Sequence, residues 1–129
     1  MTKQKFELEK AEKAVKLLLD AIGHPKSDEN IRESPKRIAK MYAKILGGYN
    51  ENPKQYIKLF PSDSTNMVTV RNIPLYSFCS HHFQPFYGRI TIAYIPKGRV
   101  IGLSKLVRIT RVFAKRLQLQ ENLTSEIAN

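Results

Sequence analysis

The chain has 129 residues, enough for one domain of ordinary size. Hydrophobic residues make up 42% and charged residues 26%, the balance of a globular chain rather than a disordered one, and no apolar run approaches the ~20 residues a membrane helix needs. The net charge of +11 favours an anionic partner: nucleic acid, anionic lipid or a phosphorylated small molecule.

Met1-Thr2-Lys3-Gln4-Lys5 is followed by an amphipathic pattern, not by the apolar core of a secretion signal. The single cysteine, Cys79, cannot form an internal disulfide, which fits a reducing compartment. Both features lead us to expect a cytoplasmic protein. Leu8, Ala11, Val15, Leu18 and Ile22 recur at spacings of three and four, so residues 5–22 read as a helix ended by Gly23-His24-Pro25. Ser34-Pro35 has the form of an N-cap followed by proline at the first helical position. Ile38, Met41, Tyr42 and Ile45 give the second apolar stripe, and Gly47-Gly48 stops it. Residues 49–66 are polar and turn-rich.

The period then changes. Residues 67–73 read as a strand, and Ile90, Ile92 and Tyr94 alternate with polar or small neighbours to give a second strand over 88–96. Lys97-Gly98 is a turn signal, and from Ser104 the helical period returns through Leu106, Ile109, Phe113, Leu117, Leu123 and Ile127. The order predicts an α+β chain: an N-terminal helical region over 1–48, then a sheet-plus-helix region over 49–129, with an antiparallel sheet carrying helices on one face. Two or three strands leave sheet edges that more strands or another subunit must cover.

Ser77-Phe78-Cys79-Ser80-His81-His82 is the densest chemistry in the chain. Thiolate sulfur and imidazole nitrogen are preferred zinc ligands, and Cys79 and His82 are spaced so that one turn brings both to one ion. A catalytic zinc needs three protein ligands and an open position, so two do not make a site. A buried cysteine beside two polar histidines is the plain structural reading. Further along, Ser104 has the place of a helix cap, and unpaired amides at a helix start attract anions. Lys105 and Arg108 lie one turn apart, and residues 105–116 hold five basic side chains and no acidic one. That density suits a polyphosphate, although a solvated basic helix face has the same composition. Glu121 follows Gln118-Leu119-Gln120. Its two oxygens suit the N1–H and amino group of a guanine edge, while surface glutamates on helices are common.

Taken in order, Ser34-Pro35-Lys36-Arg37-Ile38-Ala39-Lys40-Met41-Tyr42, the stretch from Pro74 through Cys79-Ser80-His81-His82 to Gly88, Ala93-Tyr94-Ile95-Pro96, Gly102-Leu103-Ser104-Lys105 and Gln118-Leu119-Gln120-Glu121 closely resemble GTP cyclohydrolase I. The resemblance runs from about residue 10 to residue 129. It implies an incomplete tunnelling-type fold, a zinc cofactor, GTP as substrate and a homo-oligomer, a decamer of two stacked pentamers in a complete family member. Cys79 and His82 match zinc ligands, and His81 matches a histidine that transfers protons beside the substrate. Ser104, Lys105 and Arg108 match residues around ribose and triphosphate. Arg37 and Lys40 match further phosphate contacts, and Gln120 and Glu121 match the guanine-recognition segment. The implied reaction hydrolyses GTP at C8, releases formate and yields 7,8-dihydroneopterin triphosphate, the first step of folate and pterin biosynthesis.

Two departures stand out. Ser80 occupies the place of a family glutamate. The family continues past the equivalent of Asn129 with two strands that carry a histidine, the third zinc ligand and an arginine. The chain as written is therefore expected to hold zinc weakly and to associate poorly or aggregate through its open sheet edges. A relative that binds nucleotide or joins an oligomer without turnover is the second reading. A fold-mate that reduces a nitrile on a deazaguanine base fits the His81-His82 pair and the Gly-Leu-Ser-Lys segment less well. A nucleic-acid-binding module lacks a recognisable motif.

Overall fold

The computed structural model describes residues 6–129. Residues 1–5, which include the expected first residue of the opening helix and the start of the 1–48 region, lie outside the described residues. Helix α1 spans Leu8–Ala21 and α2 spans Ser34–Ile45. A long hairpin follows, β2 over Val68–Cys79 and β3 over Pro85–Tyr94. It is preceded by the short β1, Leu59–Pro61, and followed by β4, Arg99–Ile101. Helix α3, Leu103–Ala114, then leads through β5, Leu117–Gln118, to α4, Gln120–Ala128. The α+β order expected from the sequence is what the chain adopts. No helix of the described residues is long and apolar enough to cross a membrane.

Two small sheets form. β1 pairs antiparallel with β4, and the larger sheet runs β3-β2-β5. β2 and β3 are antiparallel, whereas β5 joins β2 in parallel, so the larger sheet is mixed rather than purely antiparallel. β2 is much longer than the strand expected over 67–73. A bulge between Val70 and Ile73, with Asn72 in the left-handed region at φ 58°, absorbs the irregularity, and pairing resumes through Pro74 to Phe78. Asparagine tolerates that conformation better than most residues. β3 starts at Pro85, ahead of the residue 88 expected.

Ala39, Ile73, Leu106, Val112, Ala114 and Leu123 form the buried apolar core. The inward face of β2 meets α3 there. Ser77, also buried, donates its hydroxyl to the carbonyls of Ala114 at 2.8 Å and Arg116 at 3.3 Å. These carbonyls close α3, which explains why the helical period expected to run from Ser104 to Ile127 is broken. Leu117 and Gln118 leave the helix to pair with Phe78 and Cys79. The amide of Leu117 is bonded to the Tyr49 hydroxyl at 3.0 Å. The last part of that expected helical run forms a separate helix, which begins at Gln120 and is pinned by fully buried Leu123.

The cap readings are also revised. Glu33 and Gly102 occupy the cap positions of α2 and α3, and neither helix start has a side-chain cap bond. Ser34 and Ser104 lie inside the first turns. In α1, Leu8, Leu18 and Ile22 of the predicted stripe stay exposed, while Ala11 and Val15 are half-buried against the α2 side.

A strap crosses the whole length of α3. It begins in the 3-10 turn Gly47–Asn50, where the Gly48 amide donates to the Lys115 carbonyl at 2.9 Å. It continues through a second 3-10 turn, Pro53–Tyr56, which packs on α3. At the far end, the Gly102 amide at the start of α3 donates to the Lys58 carbonyl at 3.2 Å.

Candidate active site

The Cys79 end of β2 carries the first group of candidate residues. Cys79 is the last residue of the strand and a half-buried free thiol. The loop of residues 80–84 turns back into β3. It is closed by Cys79 N–H to the Gln84 carbonyl at 2.8 Å and Phe83 N–H to the Cys79 carbonyl at 2.9 Å. His81 and His82 project from this loop and are exposed. Phe83 sits at φ 59°, a left-handed conformation unfavourable for a bulky side chain.

The pairing of β5 with β2 brings a second predicted segment to the same end. Cys79 and Gln118 are direct partners, and the Ser80 amide donates to the Gln118 carbonyl at 3.1 Å. Gln120 and Glu121 then open α4 within a few residues of the cysteine–histidine loop, both exposed. Gln118 itself is buried. Its amide donates to the Phe113 carbonyl at 3.1 Å and to the Glu126 carboxylate at 2.8 Å, so its role is to fasten α4.

The donor set for zinc is right in kind and incomplete in number. No cluster of three His, Cys, Asp or Glu side chains suited to a metal occurs among the described residues. The state of His82 points the same way. Its Nδ1 accepts the Gln84 amide at 3.2 Å, so in the neutral ring Nε2 carries the proton. Ligating histidines usually do the reverse, donating from the nitrogen that does not bind the metal. One chain in this conformation does not fit a catalytic zinc.

The basic residues divide. Lys105 is half-buried and Arg108 exposed near the start of α3. Ser77 anchors β2 at the other end of that helix, and the nine helical steps from Lys105 to Ala114 span about 14 Å. The phosphate candidates and the Cys79 loop therefore lie toward opposite ends of α3 in one chain. Arg116 is committed elsewhere: its Nε donates to the Gly48 carbonyl at 3.2 Å, its guanidinium faces Glu126 at 3.6 Å, and it lies over the Phe113 ring at 4.8 Å. Arg111 and Lys115, with Lys44, border an open groove of about 310 Å³ between α2, β2 and α3 that none of the predicted site residues line. Arg37 and Lys40 are exposed on α2. That helix reaches the site region through Tyr42, whose ring meets Phe78 edge-on at 6.3 Å between centroids.

On the strap that packs along α3 is a pair that sequence reasoning missed. The Tyr56 hydroxyl donates to the Glu51 carboxylate at 2.8 Å, and both residues are half-buried. The Glu51 bond, then burial and the Glu51 charge, push the Tyr56 phenol above its ordinary pKa, and the Arg108 charge opposes the rise. Nothing in a polar, turn-rich stretch signals this pair, because its meaning depends on the strap lying against α3. His24, the remaining histidine, is bonded through Nε2 to Asp28 at 3.1 Å between α1 and α2, away from these groups.

Residues 11–129 match the sequence model of the family described as GTP cyclohydrolase I. The chain is 51% identical over 126 residues to a GTP cyclohydrolase 1 of Pelotomaculum thermopropionicum, covering 96% of this chain and 67% of that protein. It is 49% identical to those of Carboxydothermus hydrogenoformans, covering 94% of this chain and 64% of that protein, and Bacillus mycoides, covering 97% and 67%. The chain thus spans about two thirds of the length of these relatives.

Proposed function

The chain belongs to the GTP cyclohydrolase I family, and from that premise we propose that it binds GTP and takes part in hydrolysis of the purine at C8. Formate leaves, and 7,8-dihydroneopterin triphosphate forms as the entry to folate and pterin synthesis. The observation that carries this reading is the parallel pairing of Cys79 with Gln118. It gives the cysteine–histidine loop and the Gln120-Glu121 segment a common location, as an enzyme needs if one group holds the base while another acts on it.

In this reading Glu121 accepts the N1–H and amino hydrogens of guanine, with Gln120 beside it. Lys105 and Arg108, with Ser104 at the helix start, take the triphosphate through charge-assisted bonds, and Arg37 and Lys40 add further positive charge. His81, exposed in the loop, moves protons, since an imidazole can both give and take them. Zinc is the cofactor this reading calls for, with Cys79 and His82 as this chain's two donors.

The separation of the two groups along α3 supports a site shared between copies. The Cys79 loop of one chain would meet the Lys105–Arg108 surface of another. β3 is an edge strand, and β2 is paired on its other side only at Phe78 and Cys79 among the described residues. Such edges favour a homo-oligomer, with the family decamer as the proposed assembly.

Incubation with GTP and zinc, followed by assay of formate and of oxidised, fluorescent pterin, tests the activity. Equal release of both products supports the enzyme, and light scattering in parallel reports the assembly. GTP binding with neither product would favour the second reading, a nucleotide-binding relative without turnover. The observation behind that reading is the lack of a third donor grouped with Cys79 and His82 among the described residues, together with Ser80 where the family has a glutamate.

A further inference from the structure

Helix α4 carries Gln120 and Glu121 in its first turn, and the direction in which they project is set by how the helix is held. Fully buried Leu123 and half-buried Ile127 seat it by apolar contact, which is non-directional. Glu126 supplies the directional contact. Its carboxylate accepts the Gln118 side-chain amide at 2.8 Å and faces the Arg116 guanidinium at 3.6 Å. Both partners are themselves fixed. Gln118 is buried in β5, and its amide also donates to the Phe113 carbonyl at 3.1 Å. Arg116 donates from Nε to the Gly48 carbonyl at 3.2 Å, and its guanidinium lies over the Phe113 ring at 4.8 Å. Glu126 thus ties α4 to β5, to the end of α3 and to the strap turn at Gly48.

Helical geometry relates this tie to the exposed end of α4. Leu123 and Glu126 are an i, i+3 pair and share one face. Glu121, two residues before Leu123, lies about 200° round the axis, on the opposite face. A roll of α4 about its axis turns Glu121 through the same angle. We propose that Glu126 is a positioning residue for base recognition: it fixes the roll of α4 and so aims the Glu121 carboxylate at the N1–H and amino group of guanine. The inference rests on the reading that Glu121 takes the guanine edge. Two parallel hydrogen bonds to a planar base edge need a defined carboxylate direction, whereas a triphosphate taken at α3 is indifferent to the roll of α4. The Glu126 side chain is 42% exposed, so its truncation opens no cavity.

Calorimetric titration of the chain with GTP and with ATP tests this, since the two share the triphosphate and differ in the base edge. Glu126→Ala should weaken GTP about tenfold, the scale of one hydrogen bond to a charged group, and leave ATP unchanged. Glu126→Gln keeps an acceptor for Gln118 and should bind GTP as the parent does. A merely structural role would weaken both nucleotides together. Unchanged GTP affinity in Glu126→Ala, an equal loss of GTP and ATP, or a loss in Glu126→Gln as large as in Glu126→Ala overturns the inference. Glu121→Gln separates the two levels. If the parent shows no preference for GTP over ATP, or if Glu121→Gln leaves that preference intact, the guanine reading fails and this inference falls with it. If Glu121→Gln narrows the preference while Glu126→Ala does not, only the role of Glu126 is lost.

Discussion

Cys79 and Gln118 are parallel strand partners, and that one pairing fixes where α3 ends and where α4 begins. Gln118 is 4% exposed, and its amide holds both the Phe113 carbonyl and the Glu126 carboxylate. Gln118→Leu keeps the size and removes both bonds. It should cost about 1–3 kcal/mol, the scale of losing two partly buried hydrogen bonds, one of them to a carboxylate. The urea midpoint should fall with little change in slope, and amide exchange in α4 should quicken more than in α2. Equal exchange in the two helices would mean that Leu123 alone anchors α4.

Gly48 is the second fixed point. A Cβ there would collide with the Val112 carbonyl oxygen and come within 2.8 Å of that of Lys115. Backbone atoms in a helix end cannot step aside cheaply. Gly48→Ala should destabilise the chain by about 1–3 kcal/mol or more, as overpacking does. Gly47→Ala meets nothing within 4 Å and serves as the control. Similar unfolding midpoints for the two variants would contradict the close approach of the strap to α3.

How much of this was legible in the sequence depends on the range of the forces involved. α2 and one stretch of each long strand, 67–73 and 88–96, announced themselves because apolar spacing is local. Leu117 was misread because it falls on the helical period of α3, whereas its actual partners, Phe78 and the Tyr49 hydroxyl, are distant in the chain. β2 was read short because Pro74 lacks an amide donor and the bulge breaks the alternation, yet the strand continues beyond it. Cys79, His81 and His82 stood out as a cluster of chemically special side chains. Tyr56 and Glu51 did not, because neither is unusual until a helix lies beside them.

Ligand selectivity can be separated by residue. Lys105→Ala and Arg108→Ala should each weaken GTP by about 1.5–3 kcal/mol while sparing guanosine, since their proposed partner is the triphosphate. Glu121→Gln should do the reverse, narrowing the preference for GTP over ATP, because an amide offers one acceptor where a carboxylate offers two. Parallel titrations with GTP, ATP and guanosine check both. Equal losses for GTP and guanosine in Lys105→Ala would assign that residue to the helix and not to phosphate.

The acid limb of stability has an identifiable contributor. The Asn30 backbone amide, and then the His24 ring, hold the Asp28 carboxyl below its ordinary range. A depressed folded pKa means the contribution is present above the unfolded value, about 3.9, and is lost as pH falls through the folded value. Asp28→Asn should therefore lower stability at neutral pH and flatten its decline below about pH 4. Glu12, lowered chiefly by its bond to Lys16, acts in the same direction and remains in the variant. Urea midpoints from pH 7 down to about 3 would show the difference, and parallel curves for parent and variant would remove Asp28 from the account.

Zinc uptake by the 129-residue chain should be weak and well below one ion per chain. Cys79 and His82 offer two donors where a catalytic site uses three, and no third is grouped with them among the described residues. The loop adds a second obstacle. The Gln84 amide engages Nδ1 of His82, so binding through Nε2 requires that bond to break and the ring proton to move. Zinc would have to reorganise a loop whose Phe83 already sits at φ 59°. Competition with a chromophoric chelator measures the affinity, and elemental analysis measures the content. Whatever zinc the chain holds should disappear in Cys79→Ala and His82→Ala and persist in His81→Ala, which separates the two proposed metal donors from the proposed proton carrier. Tight, stoichiometric zinc in the parent would overturn the prediction and require a donor from a second copy of the chain, which dilution of the complex would then release.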